Sequence, residues 1–278
     1  MTPLQALLLG IVQGLTEFLP VSSSGHLVLG EKILGASAET PVTFEVVVHL
    51  GTLLATLIVF RKPVWDILCF LGRAATGKTG GRFWSDPDGR LFVLLVIGTI
   101  PAGLCGALFK NPIEAMFSNV LLVAVALCVT GTLLLATRWS RPCAEGAENV
   151  SVGQTLIVGI AQAIAITPGI SRSGSTIATG LLCGIDRETA ARFSFLLSMP
   201  AIAGAVVLKA HDIAKASVHA GWQPLVVGFL ASLIVGYAAL RLLLGFVRRG
   251  QLHWFGIYCW VVGLAAIVAF CLGFLGGR

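Results

Sequence analysis

Long apolar runs dominate the chain, and short polar segments separate them. A helix that crosses a bilayer needs roughly 20 apolar residues, and six stretches come close to that length. They are residues 43–60, 91–109, 117–137, 190–208, 223–244 and 254–275. The pattern therefore predicts an all-α integral membrane protein with about six full transmembrane helices.

Two further apolar stretches, 3–34 and 153–185, are each interrupted by a serine-rich segment. The interruption leaves a first half of roughly 16 residues and a second of roughly 11, which is too short to cross a membrane alone. Such broken helices predict two re-entrant helical hairpins, whose non-helical backbone must be buried in protein or line a wet cavity. Two ordinary spans joined by a short loop are the alternative.

The two interrupted stretches are copies of each other. At an offset of 149 residues, positions 4–44 match positions 153–193 without a gap, with 12 identities in 41 positions. Only two of these identities are aliphatic, the kind that an apolar composition gives by chance, so we infer a duplication. It divides a single membrane domain, residues 1–278, into a first repeat of about 1–138 and a second of about 150–278.

Three full spans separate the two hairpins. Because three is odd, the second repeat must be upside down relative to the first, which predicts an inverted-topology repeat. The hairpins then enter from opposite faces, and we expect their polar tips to meet near the middle of the membrane.

Composition and charge support a membrane protein and predict its orientation. Hydrophobic residues make up 56% of the chain, charged residues 12%, and the mean hydropathy is +0.91, far outside the soluble range. With residues 61–90, interpreted as a polar turn region, in the cytoplasm, the inner side holds 13 Lys and Arg and the outer side 5. The positive-inside rule then places both termini outside. The formal charge of +6 reflects this topology rather than a nucleic-acid partner.

The first hairpin carries acid–base groups. Gln13 and Glu17 are four residues apart on one face of its first half. An ionisable residue in an apolar segment is costly and is a functional candidate, with a structural cap as the alternative. The tip that follows contains Ser22, Ser23, Ser24, Gly25 and His26. Hydroxyls and a glycine at a helix start present backbone N–H groups to phosphate oxygens, and a histidine can act as acid or base.

The second hairpin carries a cation. Its tip contains Ser171, Arg172, Ser173, Gly174, Ser175 and Thr176. Arg172 is always charged, and its planar fork of donors suits phosphate. Because its own hairpin has no carboxylate, Arg172 needs either Glu17 or an anionic ligand. A salt bridge of purely structural value is the alternative.

The two copies of the hairpin have different residues at the positions that carry reactive groups. Glu17 corresponds to Ile166, Ser23 to Arg172 and His26 to Ser175, whereas the Ser-x-Ser-Gly run is shared. The duplication thus predicts one composite site, with acid–base groups from one half and a cation from the other. Glu45 and His49, also four apart, either assist this site or form an ordinary polar face in the bundle.

The two motifs resemble the signature motifs of the bacterial undecaprenyl-diphosphate phosphatase family linked to bacitracin resistance. They are Gln-Gly-Leu-Thr-Glu-Phe-Leu-Pro-Val-Ser-Ser-Ser-Gly-His at 13–26 and Pro-Gly-Ile-Ser-Arg-Ser-Gly-Ser-Thr at 168–176. Phe-Glu-Val-Val at 44–47 is similar to that family as well. The resemblance runs over essentially the whole chain.

The resemblance implies a multi-pass hydrolase of the bacterial plasma membrane. Its activity would convert undecaprenyl diphosphate to the monophosphate and inorganic phosphate at the outer face, which recycles the lipid carrier of peptidoglycan synthesis. It also implies dependence on a divalent cation, Mg²⁺ or Ca²⁺. The expected partners are the polyprenyl diphosphate substrate and membrane lipids, and a homodimer is compatible with these expectations.

Carried over by motif, the resemblance implies catalytic roles for five residues and a metal-binding role for Glu17. The five are Glu17, His26, Arg172, Ser22 and Ser23. Contacts with phosphate are expected from Ser24, Gly25, Ser171, Ser173, Gly174, Thr176 and Gln13. Position 13 is Gln rather than Glu, which leaves a metal site without a second carboxylate, and position 49 is His where we expect an amide.

We expect water to attack the terminal phosphoryl group, with Glu17 holding the cation or activating the water and His26 exchanging a proton. The alternative chemistry is covalent, with Ser22 or Ser23 attacking phosphorus. A rival function is a transporter or flippase of the lipid carrier, because inverted repeats with broken helices are a transporter architecture.

Overall fold

The computed structural model describes residues 1–34, 41–80, 83–140, 150–220 and 222–275. Over these residues the backbone forms twelve α-helices, one 3-10 turn and no β-strand, which confirms the all-α prediction. The helices are α1 (Pro3–Phe18), α2 (Ser23–Leu34), α3 (Pro41–Val59), α4 (Arg61–Ala75), α5 (Pro87–Leu108), α6 (Lys110–Met116), α7 (Val120–Ala136), α8 (Val152–Ile164), α9 (Arg172–Leu182), α10 (Arg187–Ala220), α11 (Trp222–Arg248) and α12 (His253–Cys271).

The number of spans agrees with the apolar pattern. Among the described helices, α5, α7, α10, α11 and α12 are each long and apolar enough to cross a membrane. Helix α3 qualifies as a sixth span only together with α4, and the chain bends by 81° between them. Helix α3 therefore crosses the bundle and α4 turns aside at its end.

Two parts of the secondary structure differ from the expectation. Residues 61–90 are not only a polar turn region, because α4 occupies the first half of that segment. Helix α4 buries Phe70, whose ring lies 5.0 Å from that of Phe83, and exposes Trp65 and Leu68. The short helix α6 was also not predicted. An apolar-run criterion misses both, since α4 is amphipathic and α6 is too short to register.

Both interrupted stretches form helical hairpins. Helices α1 and α2 meet at a break over residues 19–22, and α8 and α9 meet at a break over residues 165–171. The first helix of each hairpin begins with the same capping box, in which Thr2 pairs with Gln5 and Ser151 with Gln154. The capping box satisfies otherwise free N–H groups and gives a physical reason for the repeated glutamine.

The two repeats exchange their first helices. Helix α1 packs on α11 of the second repeat, and α8 packs on α5 of the first. Glycines make both crossings close: a Cβ on Gly10 would lie 2.7 Å from the Gly228 oxygen, and one on Gly159 would lie 2.5 Å from the Gly98 oxygen. Small residues allow such backbone approach in membranes, where van der Waals packing drives helix association.

The hairpins enter from opposite ends of the bundle, as an inverted repeat requires. Met1 packs in one cluster with Leu225, near the start of α11, so the first hairpin begins at that end. Val150 precedes the second hairpin, and its oxygen accepts a 3.0 Å hydrogen bond from Arg90 near the start of α5. Helices α7 and α12 are antiparallel, because Gly131 contacts Gly256 while Gly263 contacts Cys128.

One end of the bundle is basic. Helices α5 and α10 begin there, α3 and α11 finish there, and we call it the basic end. Its described cations are Arg61, Lys62, Arg73, Lys78, Arg90, Arg138, Arg187, Arg192, Arg241, Arg248 and Arg249. The side chains of Arg82, Arg141, Lys32, Lys209, Lys215 and Arg278, which the orientation argument also counted, lie outside the described residues. Lys110, in α6, is at the opposite end.

Candidate functional site

The tips of the two hairpins touch inside the bundle. A Cβ on Gly25 would lie 3.3 Å from the Cα of Gly169, and one on Gly174 would lie 3.2 Å from the Cβ of Pro20. Next to Gly25, Val123 of α7 lies close enough that the added atom would contact it at 3.5 Å. The tips therefore share one buried space, as the duplication predicts.

The two tips have the same local structure. The Ser22 hydroxyl accepts a hydrogen bond from the Gly25 N–H at 3.3 Å, and the Ser171 hydroxyl accepts one from the Gly174 N–H at 3.1 Å. Ser22 has φ +68°, and no other non-glycine residue of the described chain has a positive φ. These caps orient the N-termini of α2 and α9 into the shared space, which suits them to bind an anion.

The repeated serines next to the caps are also paired in the same way. The hydroxyls of Ser24 and Ser22 are 3.3 Å apart, and those of Ser173 and Ser171 are 3.3 Å apart. The shared Ser-x-Ser-Gly run therefore builds the scaffold of each tip. Because the serines cap the helix and pair with each other in each tip, both copies contain the same run.

Glu17 is the centre of the polar cluster. Its Oε2 accepts hydrogen bonds from the Ser23 hydroxyl at 2.7 Å and the Gln13 Nε2 at 2.9 Å, and the His49 Nε2 lies 3.5 Å away. Its Oε1 accepts a hydrogen bond from the Nη2 of Arg172. The Glu17 side chain is only 4% exposed, so a carboxylate here depends on these partners. Helices α1, α2, α3 and α9 each contribute to the cluster.

Arg172 joins the two repeats and retains donor capacity. It is the first residue of α9, directly after the Ser171 cap, and its side chain is one-fifth exposed. While Nη2 binds Glu17, its buried Nη1 has no hydrogen-bond partner. A guanidinium donates in a planar fork, so the same side chain can hold Glu17 and a phosphate oxygen together.

His26 lies beside the cluster but does not contact Glu17. Its Nδ1 is 2.9 Å from the Ser22 carbonyl oxygen, and its Nε2 is 2.8 Å from the Tyr258 hydroxyl. The rings of His26 and Tyr258 stack with centroids 5.6 Å apart. Because a carbonyl only accepts, Nδ1 donates to Ser22, and in the neutral ring Nε2 accepts from Tyr258.

Three polar residues of this region were not singled out in the sequence. Besides Tyr258, they are Thr130 and Ser194. Thr130 on α7 donates to the Gly169 oxygen at 3.1 Å and accepts from the Ser171 N–H at 2.9 Å, which fixes the second tip. Each lies in a mainly apolar stretch, and its partner is 18 or more positions away, so the sequence contains no local signal for it.

Thr176 and His49 also have defined surroundings. The Thr176 hydroxyl donates to the Arg172 oxygen at 2.8 Å and lies 2.5 Å from that of Ser194, so it supports α9 from within. His49 Nδ1 donates to the Glu45 carbonyl oxygen at 2.7 Å, which directs Nε2 toward Glu17. His49 thus belongs to the polar cluster around Glu17, whereas among the described residues the Glu45 carboxylate makes no contact with that cluster.

The residues present fit a divalent-cation site with only two protein ligands. Gln13 Oε1 is buried without a partner beside the Glu17 carboxylate, so two oxygen ligands are available. Over the described part of the chain, no group of three or more His, Cys, Asp or Glu could hold a metal ion. Mg²⁺ often binds with one or two protein oxygens and takes its other ligands from water and substrate phosphates. The donor set fits that mode.

The fold and the site define a class: a polytopic membrane protein with an inverted repeat and a buried polar cluster between two hairpin tips. The comparisons then identify the family. Residues 6–265 match the family model described as bacitracin resistance protein BacA, and the chain belongs to this family.

The chain is also similar to proteins named undecaprenyl-diphosphatase. That of Desulforapulum autotrophicum is 45% identical over 271 residues, covering 95% of this chain and 97% of the relative. That of Rubrobacter xylanophilus is 44% identical over 269 residues, covering 96% and 97%. An archaeal relative, from Methanobrevibacter smithii, is 43% identical over 266 residues, covering 94% and 95%.

Proposed function

We propose that the chain is an undecaprenyl-diphosphatase, which hydrolyses undecaprenyl diphosphate to undecaprenyl phosphate and inorganic phosphate. The observation that carries the proposal is the contact of Glu17 with Arg172 between the hairpin tips. A hydroxyl and two helix N-termini lie beside this carboxylate and guanidinium. Together they are the groups that binding and cleaving a diphosphate require. Family membership and the names of the relatives support the same activity.

The site also supports a binding mode for the substrate. The terminal phosphoryl group would lie between the N-termini of α2 and α9 and accept hydrogen bonds from the free Nη1 of Arg172. Gln13 and Glu17 would hold a divalent cation, which when bound offsets part of the diphosphate charge. A homodimer is compatible with this site, since all of its residues come from one chain.

The chemistry then needs a base next to an oxygen nucleophile. Glu17 accepts the proton as oxygen attacks the terminal phosphorus, the bridging P–O bond breaks, and undecaprenyl phosphate leaves. The attacking oxygen belongs to water or to Ser23, whose hydroxyl already donates to Glu17. If Ser23 attacks, water must hydrolyse a phosphoserine in a second step. Ser22 is less suitable, because its hydroxyl caps α2.

The side of the membrane is part of the proposal. The basic end would face the cytoplasm according to the positive-inside rule. Both termini, and the end at which the first hairpin enters the bundle, would then lie on the outer side. The enzyme would thus act at the outer face of the plasma membrane and recycle the lipid carrier of cell-wall synthesis. A transporter of that carrier is the rival function, and the comparisons do not favour it.

Phosphate release by the purified protein tests the proposal. In detergent with undecaprenyl diphosphate and Mg²⁺, the unmodified chain should release phosphate without any partner. Phosphate release by Glu17→Gln and by Arg172→Lys should each fall about 100-fold. Glu17→Gln removes the carboxylate charge, and Arg172→Lys keeps the charge but loses the planar fork of donors. A loss of about 3 kcal/mol of transition-state stabilisation slows the chemical step by that factor. The control is Glu114→Gln, an exposed carboxylate of α6.

Folding must be checked in parallel by yield and monodispersity. Unchanged phosphate release by Arg172→Lys would reduce the contact between the hairpins to a structural ion pair. No release by the unmodified protein, with lipid movement in vesicles instead, would favour the transporter.

A further inference from the structure

A cavity separate from the hairpin tips lies at the basic end, between the end of α3, the start of α10 and the end of α11. Its volume is about 440 Å³. Three guanidinium groups line it, those of Arg192, Arg241 and Arg248, over apolar side chains that include Phe60 and Leu244. The reaction proposed above uses none of these residues.

The charges in the cavity do not cancel. Glu188 is its one acidic lining residue, and its carboxylate binds Arg248 at 3.0 Å. Arg241 lies over the ring of Tyr237 at 5.9 Å, a contact that leaves its charge uncompensated. Three cations therefore face one anion, which makes the cavity a favourable place for a negatively charged ligand.

Arg192 has unused donor capacity. Its Nε is buried and has no hydrogen-bond partner. The same side chain lines a neighbouring cavity of about 360 Å³, which also contains Asp88, Arg90 and Trp84. Asp88 is close enough to Arg192 for the two charges to interact. A buried guanidinium N–H without an acceptor costs free energy unless a ligand supplies one.

The cavity lies where the bundle meets lipid headgroups. Four exposed tryptophans stand on segments at the basic end: Trp65, Trp84, Trp139 and Trp254. Tryptophan is enriched at the membrane–water boundary, so these residues mark the headgroup level of that leaflet. A lipid in the cavity can thus place its phosphate among the arginines, and its acyl chains can lie along the apolar surface.

We propose that this cavity is a binding site for the phosphate headgroup of an anionic phospholipid in the leaflet that surrounds the basic end. Basic pockets between transmembrane helices are known to take such headgroups. The site is separate from the hairpin tips, so it does not depend on the proposed enzymatic activity or on which side of the membrane the basic end faces. A free phosphate ion offers the same oxygens but no acyl chain for the apolar part.

The test compares lipids on the full-length protein in detergent. Thermal unfolding and native mass spectrometry are measured with phosphatidylglycerol, with phosphatidylcholine and with inorganic phosphate. We expect phosphatidylglycerol alone to raise the unfolding temperature and to remain bound. Arg192→Gln and Arg241→Gln should each weaken phosphatidylglycerol binding about fivefold, the effect of one basic residue near anionic lipid.

Arg138→Gln is the matched control, because Arg138 is an exposed cation of the same end that does not line the cavity. If Arg192→Gln fails to fold, Arg241→Gln decides, since Arg241 is exposed and its removal leaves no buried group unpaired. Equal lipid binding by Arg241→Gln and Arg138→Gln overturns the proposal. So does a stabilisation by inorganic phosphate or phosphatidylcholine that matches phosphatidylglycerol.

Discussion

At the scale of single residues, the site assigns different tasks to groups that look alike in sequence. Ser22 and Ser23 are adjacent, yet Ser22 caps a helix and Ser23 donates to Glu17. Gln13 and Gln162 are repeat partners, yet only Gln13 has a carboxylate four residues later. The difference comes from the partner that each side chain contacts within its own hairpin, so the chemistry of each residue is decided by contact and not by its type.

Gln13→Glu makes the site more dependent on divalent cations. The Gln13 amide donates to Glu17 at 2.9 Å, and a carboxylate in its place would repel Glu17 unless a cation lies between them. A second carboxylate would also strengthen cation binding. We expect activity at low Mg²⁺ to fall about tenfold, as for a repulsion of about 1.4 kcal/mol, and to recover as Mg²⁺ is raised.

The measurement is phosphate release against free Mg²⁺ concentration, with Gln5→Glu, at the exposed start of the same helix, as the control. Identical Mg²⁺ curves for the unmodified protein and Gln13→Glu would mean that no cation is bound between positions 13 and 17.

Tyr258 positions His26, so removing its hydroxyl should reduce turnover. Tyr258→Phe keeps the stacked ring but loses the 2.8 Å hydrogen bond to Nε2. We expect kcat to fall about fivefold with little change in KM, the effect of one hydrogen bond of about 1 kcal/mol. Tyr237→Phe, the other tyrosine of the chain, is the control and should keep normal turnover.

A double variant separates positioning from a general structural effect. If Tyr258 acts through His26, then Tyr258→Phe should cost nothing further in a His26→Ala background. A loss in the double variant that equals the sum of the two single losses would show that Tyr258 acts independently of His26.

At the scale of helices, the sequence predicted the hairpins well because a membrane allows an apolar run with a polar break few ways to satisfy its backbone. It did not predict α4, whose apolar residues between Val64 and Leu71 form a run too short to cross a membrane. The candidate site divides in the same way. Glu17, Ser23 and Arg172 could be found because the two copies differ there, whereas Tyr258 and Thr130 have no repeat signal and lie far along the chain from their partners.

The close crossing of α8 with α5 should tolerate no added methyl group. In Gly159→Ala the new Cβ would lie 2.5 Å from the Gly98 backbone oxygen, so one helix must move. Overpacking of this kind costs about 1–3 kcal/mol, and we expect a lower unfolding temperature in detergent. Gly153→Ala is the control on the same helix, where the nearest atom would be 3.8 Å away. An equal change in both variants would mean that the crossing is looser than described.

At the scale of the whole molecule, the inverted repeat allows two half-helices from opposite ends to meet in the interior. Neither hairpin alone contains both the carboxylate and the guanidinium, so the active arrangement exists only when both repeats are folded around each other. The exchange of α1 and α8 between repeats strengthens this dependence, because each hairpin packs on a span of the other half. Opposite entry of the hairpins is therefore a requirement for the site as well as a feature of the fold.

Cysteine labelling in whole cells tests this topology together with the proposed orientation. Asn111, on α6, lies at the end opposite the basic end, and Lys78 follows α4 at the basic end. In a variant without its native cysteines, Asn111→Cys should react with a membrane-impermeant thiol reagent added outside, and Lys78→Cys should react only after the cells are opened. The reverse result would place the basic end outside, and the end at which the first hairpin enters the bundle would face the cytoplasm. Equal labelling of both positions in intact cells would mean that residues 78 and 111 are on one side, which the single crossing by α5 does not allow.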